Sequence, residues 1–340
     1  MAKVLVTGAT GFIAGHVIHQ LLEAGHEVRG TARSVSRETP LNTILSDYAG
    51  KPVHIEIVEA DLTSDVGWAE AVEGMDYVQH LASPFLAVMP KDHEELIRPA
   101  RDGALRVLKA SKAAGVKRVV MTSSMAAIAY GWGDARPNPL TEEHWSNPDN
   151  MKDNTAYTRS KTIAEKAAWD FMAGEGAGME LSVINPSAVL GPAMSADVST
   201  SLQIITQLMT GKAPASPRVG FCVVDVRDVA DAHVKAMTVP QAAGERFLAS
   251  GRFMWMGEVA DVLREQFPDY RKKLPKGELP DWLLKALTLV NPPLKAVVPE
   301  LGRERHCSNE KARRILGWTP RTEEEAIIES AQTLIDLNVI

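Results

Sequence analysis

Residues 5–17 read LVTGATGFIAGHV, in which a short apolar run leads into small residues and then into apolar residues at helical spacing. In this G-x-x-G-x-x-A pattern, Gly8 permits a tight turn that a Cβ atom would obstruct, and Gly11 lets a ligand approach the backbone closely. Ala14 or Gly15 lets the helix pack near the strand. The free N–H groups and positive dipole of a helix start suit a diphosphate. The stretch predicts the first strand, turn and crossover helix of a dinucleotide-binding sheet, although a merely tight turn has the same composition.

The first half of the chain alternates between short apolar runs rich in β-branched residues and stretches with helical periodicity. Strands are predicted at residues 4–6, 26–28, 53–58, 77–81, 118–121 and 181–184. Helices are predicted at residues 14–24, 68–72, 99–114 and 155–172. Strands that lack polar alternation and are joined by helices are typical of a parallel sheet covered on both faces. The predicted fold class is α/β, a Rossmann-like doubly wound parallel sheet with a smaller, mainly helical C-terminal substrate lobe.

Beyond about residue 185 the alternation loosens, and proline and glycine become more frequent. Helices are predicted at residues 199–210, 226–237, 256–266, 282–289 and 323–337. We expect residues 1–185 to form the dinucleotide-binding domain and residues 186–340 to form mainly the substrate-binding lobe. Two predicted strands near residues 220–250, at 220–224 and 245–249, are expected to return to the first domain.

Composition excludes several classes of protein. The chain has 340 residues, 45% apolar and 24% charged, with a net charge of −6. This acidic balance argues against a nucleic-acid-binding role. Residues 283–298 are apolar but are interrupted by lysines and prolines, so they predict no membrane span and no membrane partner. Residues 1–3 lead directly into a strand without a secretory signal, and the expected compartment is the cytoplasm.

Three residues with reactive side chains are expected to be structural. Cys222 and Cys307 are far apart in the sequence and have no His or Cys at metal-ligand spacing, so we expect two reduced thiols and no metal site. His233 follows a helical pattern and is expected to pack within the fold rather than to act as a base.

The tip of the second predicted strand indicates which dinucleotide is bound. Residues 29–37 read RGTARSVSR, with Arg33 and Arg37 beside two serines and with no acidic residue; Glu27 comes too early in the strand. An acid at this tip binds the 2′-hydroxyl of NAD, whereas arginine pairs with the 2′-phosphate of NADP. The pattern predicts NADP(H), the alternative being a solvated basic loop.

Two further loops follow predicted strands, where ligands collect in a parallel sheet. Asp61 and Leu62 follow the third strand, where they can meet the adenine amino group. Leu81, Ala82 and Ser83 follow the fourth strand, near the expected path of the ribose and nicotinamide.

Residues 157–161 read YTRSK, which places Tyr157 and Lys161 on one face of a helix. A nearby ammonium stabilises tyrosinate, so we expect the pKa of the phenol to be lowered. The phenol can then donate and accept a proton near neutral pH. The fifth strand ends in Thr122, Ser123 and Ser124, and one of these serine hydroxyls can hold a carbonyl oxygen.

These motifs together resemble the short-chain dehydrogenase/reductase superfamily in its extended form, over nearly the whole chain. The markers TGATGFIAGH, TSS, YxxxK and INPSAVLGP occur in the family's order. Within that group the chain is similar to the dihydroflavonol-reductase-like branch of aldehyde and ketone reductases, in VRGTAR, HLASP, DGALRVLKA and VVDVRDVADAH. The chain thus also resembles the wider NAD-dependent epimerase/dehydratase family, of which this branch is a part. The resemblance implies an NADP-dependent oxidoreductase.

The resemblance implies a catalytic role for three residues. Tyr157 is the expected general acid in carbonyl reduction, and Lys161 lowers the pKa of Tyr157 and binds the nicotinamide ribose. Ser124 is expected to orient the substrate carbonyl, with Ser123 as the alternative.

The cofactor contacts implied by the motifs and by the resemblance lie at the turns of the sheet. They are Gly8, Thr10, Gly11, Phe12, Ile13, Arg33, Arg37, Asp61, Leu62, Leu81, Ala82, Ser83, Thr122, Tyr157, Lys161, Pro186, Ser187 and Val189.

The chain departs from its family at the substrate. Flavonoid-reducing members carry a polar amide soon after the serines, whereas residues 125–129 read MAAIA, which favours a hydrophobic aldehyde or ketone. The proton-relay asparagine of many members has no obvious counterpart in residues 101–103. The residues expected to line the substrate pocket are Phe85, Ser124, Ile128, Trp132 and Tyr157.

The sequence thus predicts an NADPH-dependent reductase of aldehydes and ketones to alcohols, a reversible reaction on a small molecule. The alternative enzyme is an NAD-dependent nucleotide-sugar epimerase or dehydratase, which Arg33 speaks against. A non-catalytic NADP-binding sensor is disfavoured by the complete Ser, Tyr and Lys set. The expected assembly is a monomer or a homodimer.

Overall fold

In the computed structural model, a seven-stranded parallel sheet lies at the centre of the chain. The structure describes residues 1–84, 90–197, 199–212, 214–289, 291, 294 and 297–340, without the side chain of Asp134. In spatial order the strands are β3 (Glu56–Glu59), β2 (Glu27–Ala32), β1 (Lys3–Thr7), β4 (Tyr77–His80), β5 (Arg118–Thr122), β6 (Glu180–Pro186) and β10 (Arg246–Ala249). The strand order reverses direction between β1 and β4, which is where doubly wound sheets open a crevice for ligands. The predicted α/β fold class is confirmed.

Helices cover both faces of this sheet because its strands are apolar on both sides. On β1, Val4 and Val6 belong to one core cluster, whereas Leu5 belongs to the other. The first cluster includes α1 (Phe12–Glu23), α2 (Glu38–Ala49), α7 (Val226–Thr238) and α10 (Glu310–Leu316). The second includes α3 (Trp68–Val72), α4 (Glu94–Ala113) and α5 (Ala156–Ala173).

A smaller lobe has its own apolar core. It contains a three-stranded sheet of β7 (Ala188–Leu190), β9 (Gly220–Asp225) and β11 (Phe253–Trp255), with helices α6 (Leu202–Met209), α8 (Met256–Gln266) and α11 (Glu323–Asp336). This half of the chain also contains a two-stranded pair, β8 (Ser216–Pro217) and β12 (Glu278–Leu279), and helix α9 (Asp281–Leu287).

The two strands expected to return to the first domain lie in different sheets. β10 pairs with β6 in the central sheet, whereas β9 pairs with β7 and β11 in the smaller one. α7 lies between β9 and β10 in the chain and packs against α1, so it also belongs to the central layers. The division of the chain at residue 185 stays a prediction.

Two α-helices in the described part of the chain were not predicted. α2 begins at Glu38 and buries only Leu41 and Leu45, so its apolar spacing is too sparse to recognise, and Pro40 within its first turn reads as a loop residue although the first turn tolerates it. α10 is short and buries only Ala312 and Leu316.

The described residues contain neither a membrane span nor a cluster of metal ligands. Among them, none of the helices has the length and apolar character needed to cross a membrane. The same residues contain no group of three or more His, Cys, Asp or Glu side chains suited to a metal ion. Cys222 and Cys307 are free thiols, and buried Cys222 Sγ donates a hydrogen bond to the carbonyl of Arg305 at 3.1 Å.

Candidate active site

The glycine turn between β1 and α1 is closed by its own backbone. Gly8 has φ +65°, and a Cβ atom there would lie 2.9 Å from Cα of Ala82, so no larger residue fits. The Gly11 amide donates to the Gly8 carbonyl at 2.9 Å, and α1 begins at the next residue. The amide of Ala82 donates to Oγ1 of Thr7 at 3.0 Å, which joins the ends of β1 and β4. The amides of Gly8 and Ala9 donate to Thr31, so the amides that remain for a ligand at the crevice are those of the first turn of α1, which has no side-chain cap.

Of the two residues expected to allow close packing of helix and strand, Gly15 makes room for a different segment. A Cβ atom at Gly15 would lie 2.9 Å from Sδ of Met194, so its absence makes room for the loop after β7. Ala14 is the residue of the pair that is packed into the core beside β1.

A cavity of about 260 Å³ lies where the glycine turn, the ends of β4, β5 and β6, and helix α5 meet. Ser199 and Ser201 of the smaller lobe also line it, and no spacing signal pointed to them. The predicted site residues that line this cavity are Gly8, Gly11, Phe12, Ile13, Leu81, Thr122, Ser124, Tyr157, Lys161, Pro186, Ser187 and Val189.

Helix α5 places Tyr157 and Lys161 in the cavity. Thr155 caps the helix, since its hydroxyl accepts from the Thr158 amide at 3.2 Å and the Thr158 hydroxyl accepts from the Thr155 amide at 2.9 Å. Tyr157 and Lys161 follow within the first two turns, with Lys161 Nζ 5.9 Å from the centre of the Tyr157 ring. Nζ donates a hydrogen bond to Oγ of Ser83 at 3.0 Å, so the loop after β4 holds the ammonium in place.

The electrostatics of this pair differ from the sequence expectation. Burial raises the pKa of the Tyr157 phenol, and the hydrogen bond with Ser124 opposes this shift only in part. Burial also lowers the pKa of Lys161 to about 8, against the opposing charge of Glu165. The expected lowering of the phenol's pKa is therefore not produced in this environment, because desolvation is the larger effect. Tyr157 is held as the neutral phenol, the form that donates a proton.

Of the two serines, Ser124 is the one that interacts with Tyr157. Its Oγ also accepts from the Ala126 amide at 3.1 Å. Ser123 Oγ is buried and has no hydrogen-bond partner among the described residues, although Ser123 also lines the cavity.

Two buried histidines, His233 and His80, form hydrogen bonds with residues at the ends of strands that border the cavity. His233 Nδ1 lies 2.9 Å from Oε1 of Gln79, and His233 Nε2 lies 2.9 Å from Oγ1 of Thr122. Gln79 Nε2 donates to the carbonyl of His233, so its Oε1 faces Nδ1 as an acceptor and the Thr122 hydroxyl donates to Nε2. His80 Nδ1 lies 2.9 Å from Oγ1 of Thr7. Burial lowers the pKa of each histidine to about 3, so both are neutral, and the packing role expected of His233 agrees with this position.

Residues predicted for the adenosine end lie outside the central cavity, as does Thr10, which was predicted to contact the diphosphate. Arg33 and Asp61 line a cavity of about 390 Å³, whereas Arg37 and Thr10 line a second one of about 320 Å³ beside the glycine turn. Both guanidinium groups are exposed and make no hydrogen bond or ion pair within the described part of the chain. Hydrogen bonds from Thr63, together with the charge of Arg33, lower the pKa of Asp61.

Three of the remaining predicted residues, Leu62, Ile128 and Trp132, lie away from the central cavity. Leu62 packs against Gly103 and the second core cluster. Ile128 is fully buried in a small cluster with Leu140, and Trp132 donates from Nε1 to the Ile128 carbonyl at 2.8 Å. Neither Ile128 nor Trp132 lines the central cavity. Phe85 lies outside the described residues.

Comparison with known proteins gives a consistent family of matches. Residues 4–249 match the sequence model of the NAD dependent epimerase/dehydratase family. The chain is 38% identical over 276 residues to tetraketide alpha-pyrone reductase 2 of Arabidopsis thaliana, covering 79% of this chain and 84% of that protein. It is 31% identical over 350 aligned positions to the ketoreductase azaE of Aspergillus niger, covering 98% of each.

The same similarity extends to solved structures. Yeast methylglyoxal/isovaleraldehyde reductase in complex with NADPH superposes with a TM-score of 0.79 at 27% identity, covering 99% of this chain and 100% of that one. All three similar proteins are named as reductases.

Proposed function

The chain belongs to the NAD dependent epimerase/dehydratase family, in the dihydroflavonol-reductase-like branch of the extended short-chain dehydrogenase/reductases, and on this premise we propose that it is an NADPH-dependent reductase of aldehydes and ketones. The observation that carries the proposal is the convergence of Ser124, Tyr157 and Lys161 in one cavity beside the glycine turn. Similarity to named reductases supports it.

The residues present fit a nicotinamide dinucleotide. A Cβ atom at Gly8 would collide with Ala82, so only glycine fits this turn, and the first turn of α1, which has no side-chain cap, offers its amides to a diphosphate. Two hydroxyls on the cavity wall, Ser123 Oγ and Ser187 Oγ, are buried and have no hydrogen-bond partner among the described residues, so they are available to a ligand. Arg33 and Arg37 would hold the 2′-phosphate that distinguishes NADPH from NADH.

The proposed chemistry assigns one task to each catalytic side chain. Bound NADPH would supply a hydride to the carbonyl carbon. Ser124 and Tyr157 donate hydrogen bonds to the carbonyl oxygen, and Tyr157 then transfers its proton to that oxygen as a general acid. Lys161 in its charged form stabilises the tyrosinate that results.

The proposed substrate is a hydrophobic aldehyde or ketone. Residues 125–129 carry no polar side chain, so this strand end offers no amide for the hydroxyls of a polyphenol. The proposed compartment is the cytoplasm, in keeping with two cysteines that both remain free thiols. Whether the chain acts as a monomer or a homodimer stays a prediction.

The experiment that tests the proposal measures oxidation of NADPH with a panel of aliphatic and aromatic aldehydes and ketones. Net oxidation with formation of the alcohol is expected, with NADH a poorer donor than NADPH. Absence of turnover across the panel would contradict the proposal. Conversion of a nucleotide sugar without net oxidation would support an epimerase instead.

A further inference from the structure

Glu165 is a fully buried carboxylate two turns beyond Tyr157 and one turn beyond Lys161 on α5. Its Oε1 accepts from Nε of Arg246 at 2.6 Å and from the Trp169 indole at 3.3 Å. The three residues with spacing of four therefore form one stripe of the helix, directed towards the sheet.

Arg246 is also held by contacts other than the one with Glu165. Its guanidinium donates to the carbonyls of Glu142 at 2.9 Å and His144 at 3.1 Å. It also stacks on the Trp145 ring, with Cζ 3.6 Å from the ring centre. The ion pair with Glu165 is thus shielded from solvent.

The other oxygen of Glu165 connects the helix to the strand end that carries the serine. Asn185 Nδ2 donates to Oε2 of Glu165 at 2.8 Å and to the main-chain carbonyl of Ser124 at 3.1 Å. Asn185 is fully buried at the end of β6, directly before the cavity residue Pro186. One carboxylate therefore joins α5, β6 and the end of β5.

We propose that Glu165 is a positioning residue of the active site: through Asn185 it sets Ser124 against Tyr157, and its buried carboxylate, one helical turn from Lys161, stabilises the ammonium. This inference rests on the proposed function for its effect on turnover, but the effect on Lys161 is a property of the folded chain. A buried ion pair contributes little net stability compared with apolar residues of similar size, so stability alone is a weak reason for it.

The surroundings of Lys161 offer no other source of negative charge among the described residues. Tyr157 on its own helix is a neutral phenol, and His80 on β4 is neutral because burial lowers its pKa to about 3. The buried residues of α4, which packs along α5, are all uncharged. Arg246 on β10 donates to Oε1 of Glu165 at 2.6 Å. The Glu165 charge is therefore what limits the fall in the pKa of Lys161 that burial causes.

The test compares Glu165→Gln with a matched control. Glu180→Gln removes a carboxylate that holds another buried arginine, Arg118, at 2.8 Å at the opposite end of β6. The pKa of Lys161 is measured in both, without cofactor or substrate, from the pH dependence of its labelling by trace acetic anhydride, read by mass spectrometry. We expect the pKa to fall by about 1 unit in Glu165→Gln and to stay unchanged in the control.

Turnover supplies the second readout. In Glu165→Gln, the pH at which kcat/KM for carbonyl reduction falls on the alkaline side should move down with the pKa of Lys161. Glu165→Asp keeps the negative charge and should return the alkaline fall in kcat/KM to nearly the pH at which it occurs in the wild-type chain. If Glu165→Gln folds poorly because Arg246 is left unpaired, the double variant Glu165→Gln/Arg246→Met is used instead. It removes both charges and should still move the alkaline fall in kcat/KM to lower pH.

The outcomes are separable. A folded Glu165→Gln or double variant in which the labelling pKa of Lys161 is unchanged overturns the inference. A wild-type chain that reduces no carbonyl overturns the proposed function, while the labelling result still decides the role of Glu165.

Discussion

Lys161 and Ser83 are joined by a hydrogen bond of 3.0 Å between Nζ and Oγ, which ties helix α5 to the loop that follows β4. The bond fixes the ammonium beside the cavity, with Nζ 5.9 Å from the centre of the Tyr157 ring. In the proposed mechanism, Lys161 acts on the tyrosinate form of Tyr157 through its charge. The proposed catalysis then depends on the protonation state of Lys161.

The first prediction concerns pH. Because burial lowers the pKa of Lys161 to about 8, the charged form is lost as pH rises through that value, and kcat/KM for carbonyl reduction should fall above it. Lys161→Arg, which stays charged at all accessible pH, should be slower but should lack this limb. The measurement is the steady-state rate between about pH 6 and 10, a range that spans the pKa of Lys161. An unchanged limb near pH 8 in Lys161→Arg would assign it to another group.

The second prediction concerns the proton donor. Tyr157→Phe removes the hydroxyl that interacts with Ser124 and should lower kcat by about 10²–10⁴-fold, the usual contribution of a general acid. The dissociation constant for NADPH, measured by fluorescence titration, should change much less than kcat, because Tyr157 is only one of many expected cofactor contacts. Turnover at the wild-type rate in Tyr157→Phe would refute the assigned role.

The third prediction concerns the glycine turn. Gly8→Ala combines a left-handed backbone with a contact of 2.9 Å to the main chain of Ala82, and we expect it to lower the free energy of unfolding by roughly 3 kcal/mol and to weaken NADPH binding. Gly25 is the matched control, since it has φ +78° but no heavy atom within 4 Å of the position that an alanine methyl group would take. Gly25→Ala should cost only about 1 kcal/mol and leave binding intact. Equal effects at both positions would show that backbone strain alone is responsible.

The fourth prediction concerns the choice of dinucleotide. Replacing Arg33 and Arg37 together by Ala should raise KM for NADPH by about 10-fold or more, since each charge-assisted contact to a phosphate contributes about 1.5–3 kcal/mol, and should leave KM for NADH nearly unchanged. Lys51→Ala, which removes another exposed cation that pairs with Glu23, is the control and should affect neither. A parallel rise in both KM values for the arginine variant would remove the assignment of the 2′-phosphate.

The sheet and the catalytic pair were predictable because each leaves a local signal in the chain. Apolar strands alternate with helices, and Tyr157 and Lys161 lie four residues apart in a helix whose stop at Gly174 is visible in the sequence. Glu165 has the same spacing, but a glutamate in an amphipathic helix reads as a solvent-facing residue until its partner is known. That partner, Arg246, lies 81 residues away on β10.

The substrate side was less predictable for a related reason. The apolar character of Ile128 is visible in the sequence, but whether it faces a ligand or the core depends on Leu140 and Leu248, which come from distant segments. The direction of the Tyr157 pKa also could not be read from spacing, because desolvation depends on how deeply the first turn of α5 is packed.

The central claim, that this chain reduces a carbonyl with NADPH and takes the proton from Tyr157, is tested most directly with NADPH deuterated at the transferable hydride position. An aldehyde is incubated with the wild-type chain and with Tyr157→Phe, and the alcohol is analysed by mass spectrometry. The account predicts an alcohol with one deuterium on the former carbonyl carbon, formed by the wild-type chain and nearly absent with the variant. An alcohol without deuterium, or equal amounts from both chains, would contradict it.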